Sequence, residues 1–70
     1  MNNLVTPVSI IHSSGILLQL LRKMENPDFL ELQSASGLDD LHFYMAVGHL
    51  ITESKVALSN EKNKFRVHLI

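Results

Sequence analysis

The first third of the chain has the apolar spacing of an amphipathic helix, which we predict over residues 8–24. The positions expected on its buried side are Ile10, Leu17, Leu21 and Met24, with small Ser14 between them. Thr6, followed by Pro7, is a suitable N-cap, and Ser9 is an equally good one. Four further apolar residues widen the stripe well beyond one side: Ile11, Ile16, Leu18 and Leu20. This helix is therefore either central to the domain or packed against another chain.

Two shorter helices are predicted over residues 29–36 and 40–54. Asp28 and Glu31 have the spacing of a capping box, and Gly37 is suited to end the second helix because glycine adopts the left-handed conformation without steric cost. Asp39 or Asp40 caps the third helix. The side chains expected to face inward are Phe29, Leu32 and Ala35 in the second helix and Phe43, Ala46, Val47, Leu50 and Ile51 in the third.

From Lys55 onward the apolar pattern changes from helical to alternating, which predicts strands over residues 55–59 and 64–69. A polar turn separates them, so they form a hairpin. The spacing around the turn at Gly37 is typical of a helix-turn-helix, and a hairpin directly after its second helix makes it winged. The sequence therefore predicts one α+β domain over residues 1–70, a winged helix-turn-helix with three helices followed by a two-stranded wing.

Three segments resemble a bacterial family of small stand-alone winged helix domains of unknown function. They are Ile10–Leu21 (IIHSSGILLQLL), Tyr44–Leu50 (YMAVGHL) and Lys55–Val56. The family pattern has AGxVWxxL in the first helix, YxALGWL in the third, and Gly-Lys-aliphatic at the start of the wing. The chain departs from it at Ser14 (Ala in the family), Leu18 and His49 (Trp) and Ser54 (Gly). The resemblance implies the same fold and a homodimer.

Charge is distributed unevenly along the chain, although the formal net charge is only −1. Residues 25–54 contain acidic side chains but no Lys or Arg, whereas most of the charged side chains in residues 55–70 are basic. Apolar residues make up 46% and charged residues 19% of the chain. For so small a domain, this apolar surplus indicates that a partner covers some apolar surface.

In a DNA-binding helix-turn-helix, the outward side of the third helix contacts base edges in the major groove. Here the positions expected on that side are Asp40, Leu41, Tyr44, Met45 and Gly48. None is Arg, Lys, Asn or Gln, the side chains best suited to base contacts. Leu41, Tyr44 and Met45 instead form an apolar patch typical of a protein interface. We predict an interface that comprises Ile16, Leu20, Leu41, Tyr44, Met45 and His49.

The wing carries the cations Lys55, Lys62, Lys64 and Arg66. The favoured interpretation is that they protect an exposed sheet edge from aggregation. The alternative is that they contact phosphates or an acidic partner. Nucleic acid is therefore a candidate partner of the wing, though a weak one.

No catalytic, cofactor or metal site is predicted, and no small-molecule substrate. His42 and His49 are about 10.5 Å apart along a helix, too far for one ion, and no nucleophile or phosphate-loop motif occurs. Gly15 and Gly48 are predicted to allow close helix approach. We expect no membrane association and a cytoplasmic location, since no secretory signal or membrane-length apolar run is found. By fold resemblance, we predict a non-catalytic winged helix domain of the transcription-regulatory or nucleic-acid-binding type. The alternative is a homodimeric protein-interaction module that does not bind DNA through its third helix.

Overall fold

The computed structural model describes residues 4–70 and has the winged helix layout that the sequence predicts. Three helices are followed by an antiparallel hairpin of two strands. The elements are α1 (Pro7–Lys23), α2 (Phe29–Ser36), α3 (Asp40–Thr52), β1 (Val56–Glu61) and β2 (Lys64–Leu69). Among these residues, no helix combines the length and apolar character needed to cross a membrane.

Side-chain caps fix the starts of all three helices. Thr6 is the N-cap of α1, and it exchanges hydrogen bonds with Ser9 in a capping box, so both candidate caps take part. The predicted box at α2 is also present, since the Glu31 N–H donates to Asp28 Oδ1 at 2.9 Å and the Asp28 N–H to Glu31 Oε1 at 3.0 Å. The cap of α3 is Asp39, whose Oδ1 accepts from the His42 N–H at 2.8 Å.

Two backbone positions in the left-handed region set the ends of α2 and α3. Gly37 ends α2 with φ 69°, as predicted from its lack of a side chain. Helix α3 ends at Thr52, two residues before the predicted end, because Ser54 adopts φ 60° and the Lys55 N–H bonds back to the Leu50 carbonyl. β1 begins at Val56 and extends to Glu61, later than the predicted 55–59.

The core lies between α1, α2, α3 and the base of the wing. Its buried apolar residues are Leu17, Leu21, Leu32, Phe43, Ala46, Val47, Leu50, Val56 and Val67. Ser13 and Ser14 are buried too, and their hydroxyls donate at 2.8 Å to the Ser9 and Ile10 carbonyls one turn back. Two inward predictions are wrong. Ala35 is exposed because α2 turns only Leu32 fully inward, and Ile51 is exposed because it follows Tyr44 and Gly48 along the outward side of α3.

The wing is closed by a two-residue turn, Lys62-Asn63, in which both residues have positive φ. This is the geometry of the tight turns that match the twist of paired strands. Val56 and Val67 are buried at the base, whereas Leu58, Phe65 and Leu69 on the same side are more than one-third exposed.

A third backbone segment joins the wing, a feature that the sequence did not predict. The loop between α1 and α2 forms a single antiparallel bridge between Asp28 and Arg66, and the Val67 N–H donates to the Pro27 carbonyl at 3.2 Å. The Arg66 guanidinium donates to the Asn26 carbonyl. The wing is thus attached to the helical part of the domain through β2.

Candidate interaction face

The outward side of α3 is a continuous apolar stripe, which we call the α3 face: Leu41, Tyr44, Met45, Gly48 and Ile51. The side chains of Leu41, Tyr44, Met45 and Ile51 are 57, 54, 45 and 42% exposed. Their spacing of three and four residues places them on one side of the helix. The predicted patch of Leu41, Tyr44 and Met45 is therefore outward-facing, and Ile51 extends it by two turns.

Packing beneath the α3 face holds Tyr44 in position. Its ring lies 5.5 Å from Phe43, edge-on, and 6.1 Å from Phe29 at the start of α2. The Phe29 ring also contacts buried Phe43 at 5.5 Å and Phe65 of the wing at 5.9 Å. Aromatic contacts at these distances are favourable beyond the area they bury. Tyr44 is therefore exposed to solvent, and Phe29 and Phe43 pack against its ring from within the domain.

The amino-terminal end of the α3 face is negatively charged. Asp39 and Asp40 are both exposed, and Asp40 Oδ1 accepts a hydrogen bond from the Gln33 side chain at 2.6 Å. The pKa of Asp39 lies below its ordinary value because its carboxylate accepts the His42 backbone N–H and, secondly, contacts the His42 ring. Phosphates approaching this end of α3 would therefore meet two carboxylates.

The remaining members of the predicted interface are less accessible than the α3 face. Ile16, Leu20 and His49 are half-buried, and Leu20 packs against the core. Their side chains therefore serve the fold at least in part, and exposure alone does not group them with Leu41, Tyr44 and Met45.

A second outward stripe runs along α1, and of its members the sequence pattern placed only Ile11 outside the buried side. It comprises Val8, Ile11, Gly15 and Arg22, and we call it the α1 stripe; Val8 is 76% and Ile11 61% exposed. The signal was available, because these positions recur at helical spacing on the side opposite Leu17 and Leu21.

The two glycines predicted to allow close helix approach, Gly15 and Gly48, face no second helix within the described residues. A Cβ built on Gly15 or on Gly48 would meet no atom within 4 Å apart from its own helix and neighbours. Both glycines are exposed, one on the α1 stripe and one on the α3 face. Their helix-destabilising effect of up to about 1 kcal/mol each has no compensating contact within the described residues.

The four wing cations separate into two pairs. Lys64 lies 3.8 Å from Asp28, and half-buried Arg66 lies 3.3 Å from Glu61 and also binds Asn26. Lys55 and Lys62 are exposed, and neither forms an ion pair with any residue of the described 4–70 range. Of the predicted phosphate contacts, only Lys55 and Lys62 are thus uncompensated.

An open cleft of about 310 Å³ lies between the start of α2 and the turn of the wing. It is lined by Asp28, Phe29, Leu30, Asn63, Lys64 and Phe65.

A cross-strand hydrogen bond joins Ser59 Oγ and His68 Nε2, which are 2.7 Å apart in the hairpin. Within residues 4–70, no group of three His, Asp or Glu side chains is arranged to hold a metal ion.

Comparison with known proteins adds no relative: no family model and no curated protein sequence matches the chain. The resemblance to the bacterial winged helix family stays a prediction.

Proposed function

We propose that this chain is a non-catalytic protein-interaction module that binds through its α3 face and assembles as a homodimer in the cytoplasm. One observation carries the proposal: the side of α3 that would enter a DNA groove exposes Leu41, Tyr44, Met45 and Ile51. It presents no Arg, Lys, Asn or Gln, so it has no side chain suited to base edges.

Both the apolar surface of the α3 face and the charge around it favour a protein partner. Burying apolar area stabilises an assembly by roughly 25 cal/mol per Å², and Tyr and Met are enriched at interface centres. DNA affinity, in contrast, depends on cations that replace counterions at the phosphates. Residues 25–54, which include α2 and α3, contain no Lys or Arg. A protein surface is therefore the better complement of the α3 face.

The test is the oligomeric state of the wild-type chain and of Met45→Lys, measured by sedimentation at micromolar concentration. A charge at position 45 would be desolvated in the interface, so we expect the dimer to weaken by at least about tenfold, equivalent to about 1.4 kcal/mol. Ile70→Lys is the matched control, since Ile70 is 78% exposed and lies outside the α3 face.

Circular dichroism of both variants should show unchanged helix content, because both positions are exposed. A wild-type chain that sediments as a monomer at this concentration would contradict self-association. Equal effects of Met45→Lys and Ile70→Lys would remove the α3 face from the interface.

A second candidate is weak nucleic-acid binding through the wing, as the fold suggests by analogy for a transcription regulator. It is favoured by Lys55 and Lys62, whose charges are exposed and uncompensated. If these contact phosphates, the double variant Lys55→Ala/Lys62→Ala should bind random duplex DNA less tightly and reduce the salt-dependence slope by about 2. Lys23→Ala, at the end of α1, is the control. No binding by the wild type at low salt, or equal binding by both variants, removes this candidate.

A further inference from the structure

The α1 stripe and the α3 face share an arrangement that no contact within the chain explains. Each combines exposed apolar side chains with an exposed glycine: Val8 and Ile11 with Gly15 on α1, and the four apolar side chains of the α3 face with Gly48. Exposed glycine in a helix is unfavourable, but it lets another backbone approach closely, and the distance between packed helices depends on the side chains at their contact. Two such stripes are suited to packing on each other.

The spacing along the two stripes matches when the helices run in opposite directions. At about 1.5 Å per residue, Gly15 lies about 10.5 Å from Arg22 in α1, and Gly48 lies about 12 Å from Asp40 in α3. In the other direction, Gly15 lies about 6 Å from Ile11, and Gly48 about 4.5 Å from Ile51. An antiparallel pair with its glycines opposed thus brings Arg22 near Asp40 and Ile11 near Ile51, each within one residue of exact register.

The charges match in the same orientation. Residues 4–23 contain Arg22 and Lys23 and no acid, whereas Asp39 and Asp40 begin α3. The carboxyl end of α1, where the helix dipole is negative, would lie beside the amino end of α3, where it is positive. Both the side-chain charges and the helix dipoles therefore favour the antiparallel arrangement.

We propose that the α3 face docks on the α1 stripe of a second copy of this chain, antiparallel, with Gly48 opposite Gly15 of that copy. The inference rests on the proposed function and specifies the surface that covers the α3 face. The contact joins unlike surfaces, so it closes into a dimer when each copy contributes both surfaces to the same partner; otherwise it would give a ring or an open filament.

Packing of α3 on α3 of a second copy is the main alternative. It would join two acidic surfaces, because each copy has Asp39 and Asp40 at the start of α3 and no Lys or Arg between residues 25 and 54. Like charges held together at an interface are unfavourable. The unlike pairing avoids this repulsion.

Disulfide cross-linking between singly substituted chains tests the pairing, because the chain contains no cysteine and every bridge can be assigned. His12→Cys and Thr52→Cys lie at exposed positions next to Ile11 and Ile51, and the proposal brings them together. Gln19→Cys is the orientation control, since in the antiparallel pair it lies about 12 Å along the axis from position 52 of the other copy. Disulfides form only where the Cα atoms come within about 7 Å.

Mixing His12→Cys with Thr52→Cys chains under oxidising conditions should give a mixed disulfide as the main covalent dimer. Mixing Gln19→Cys with Thr52→Cys should give little. A preference for the Gln19 mixture would mean a parallel pair, and a dominant disulfide between two Thr52→Cys chains would mean α3 on α3. Either result overturns this pairing while leaving self-association through α3 intact, whereas a monomeric wild type overturns both.

Charge reversal provides an independent test by sedimentation. Arg22→Glu and Asp40→Arg should each weaken self-association about two- to fivefold, the range for exposed ion pairs. The double variant, which restores opposite charges with the signs exchanged, should recover the wild-type affinity. Glu53→Arg, at the other end of α3, is the matched control and should not reduce affinity. Failure of the double variant to recover would overturn the Arg22–Asp40 contact and with it the register.

Discussion

Both sides of α3 carry apolar side chains, but the chain buries only one of them. Phe43, Ala46, Val47 and Leu50 are at most 4% exposed and contribute to the core, whereas Leu41, Tyr44, Met45 and Ile51 are all more than 40% exposed. The other elements of the chain pack over the first set, whereas no element within residues 4–70 packs over the outward side of the second set. In this helix, an apolar side chain is therefore not always a core side chain. The apolar residues on the outward side of α3 are suited to contact with another protein surface.

The two sides of α3 should differ most in how much stability is lost when a leucine is shortened to alanine on each side. Leu50→Ala should lower the free energy of unfolding by about 2 to 5 kcal/mol, because it leaves a cavity in a small core. Leu41→Ala should change it by no more than about 0.5 kcal/mol. Urea unfolding at a concentration where the chain is monomeric measures both. Comparable losses would mean that the outward side is structural.

Phe29 connects the two sides, since its ring contacts both buried Phe43 and exposed Tyr44. Phe29→Ala should cost about 2 kcal/mol of unfolding free energy, less than a fully buried Phe, because Phe29 is only half-buried. It should also weaken self-association by removing the support of Tyr44. The same pair of measurements, urea unfolding and sedimentation, checks this; a loss of stability with unchanged association would show that Tyr44 needs no support.

Substitution of Gly48 should change the stability of the fold and the strength of self-association in opposite directions. Gly48→Ala should raise the free energy of unfolding by up to about 1 kcal/mol, because alanine favours the helix and its Cβ would meet nothing within 4 Å. In the assembly proposed above, the same methyl group would hold the helices apart and weaken self-association. Gly15→Ala should behave alike. Stabilisation together with tighter association would contradict a contact at the glycines.

The smallest expected effect concerns Asp39, the N-cap of α3. Its pKa is lower in the folded chain than in the unfolded one, so its contribution to stability is complete above the unfolded value and is lost as pH falls through the folded value. An NMR titration of the carboxyl carbon should place its pKa below that of an unstructured aspartate. Asp39→Asn keeps an acceptor for the His42 N–H but should lose this pH dependence.

Local patterns were enough to predict the order of elements and the helix caps. Asp28, Gly37 and Asp39 act through residues no more than four positions away, so their roles follow from short-range chemistry. Ile51 could not be placed in the same way, because an apolar residue at the edge of a stripe fits either side. The ion pairs of Lys64 and Arg66 depend on folding that brings Asp28 and Asn26 beside β2.

The candidate face was partly predictable for the same reason. Counting from the turn at Gly37 correctly placed Leu41, Tyr44 and Met45 outward, since helix geometry determines direction once the start is known. It did not reveal the α1 stripe, nor that Gly15 and Gly48 lack partners within the chain. Those facts depend on how the elements pack.

The attachment of β2 to the loop before α2 has a consequence for the order in which the domain folds. Arg66 and Asn26, which it joins, are 40 positions apart, and Val67 completes the core beside it. Helices α1 to α3 can form early from local interactions, but the contacts that enclose the core wait for residues 64–69. During synthesis the nascent chain would expose both its open core and its outward apolar side until that last strand has left the ribosome. This interval is when it is most vulnerable to aggregation.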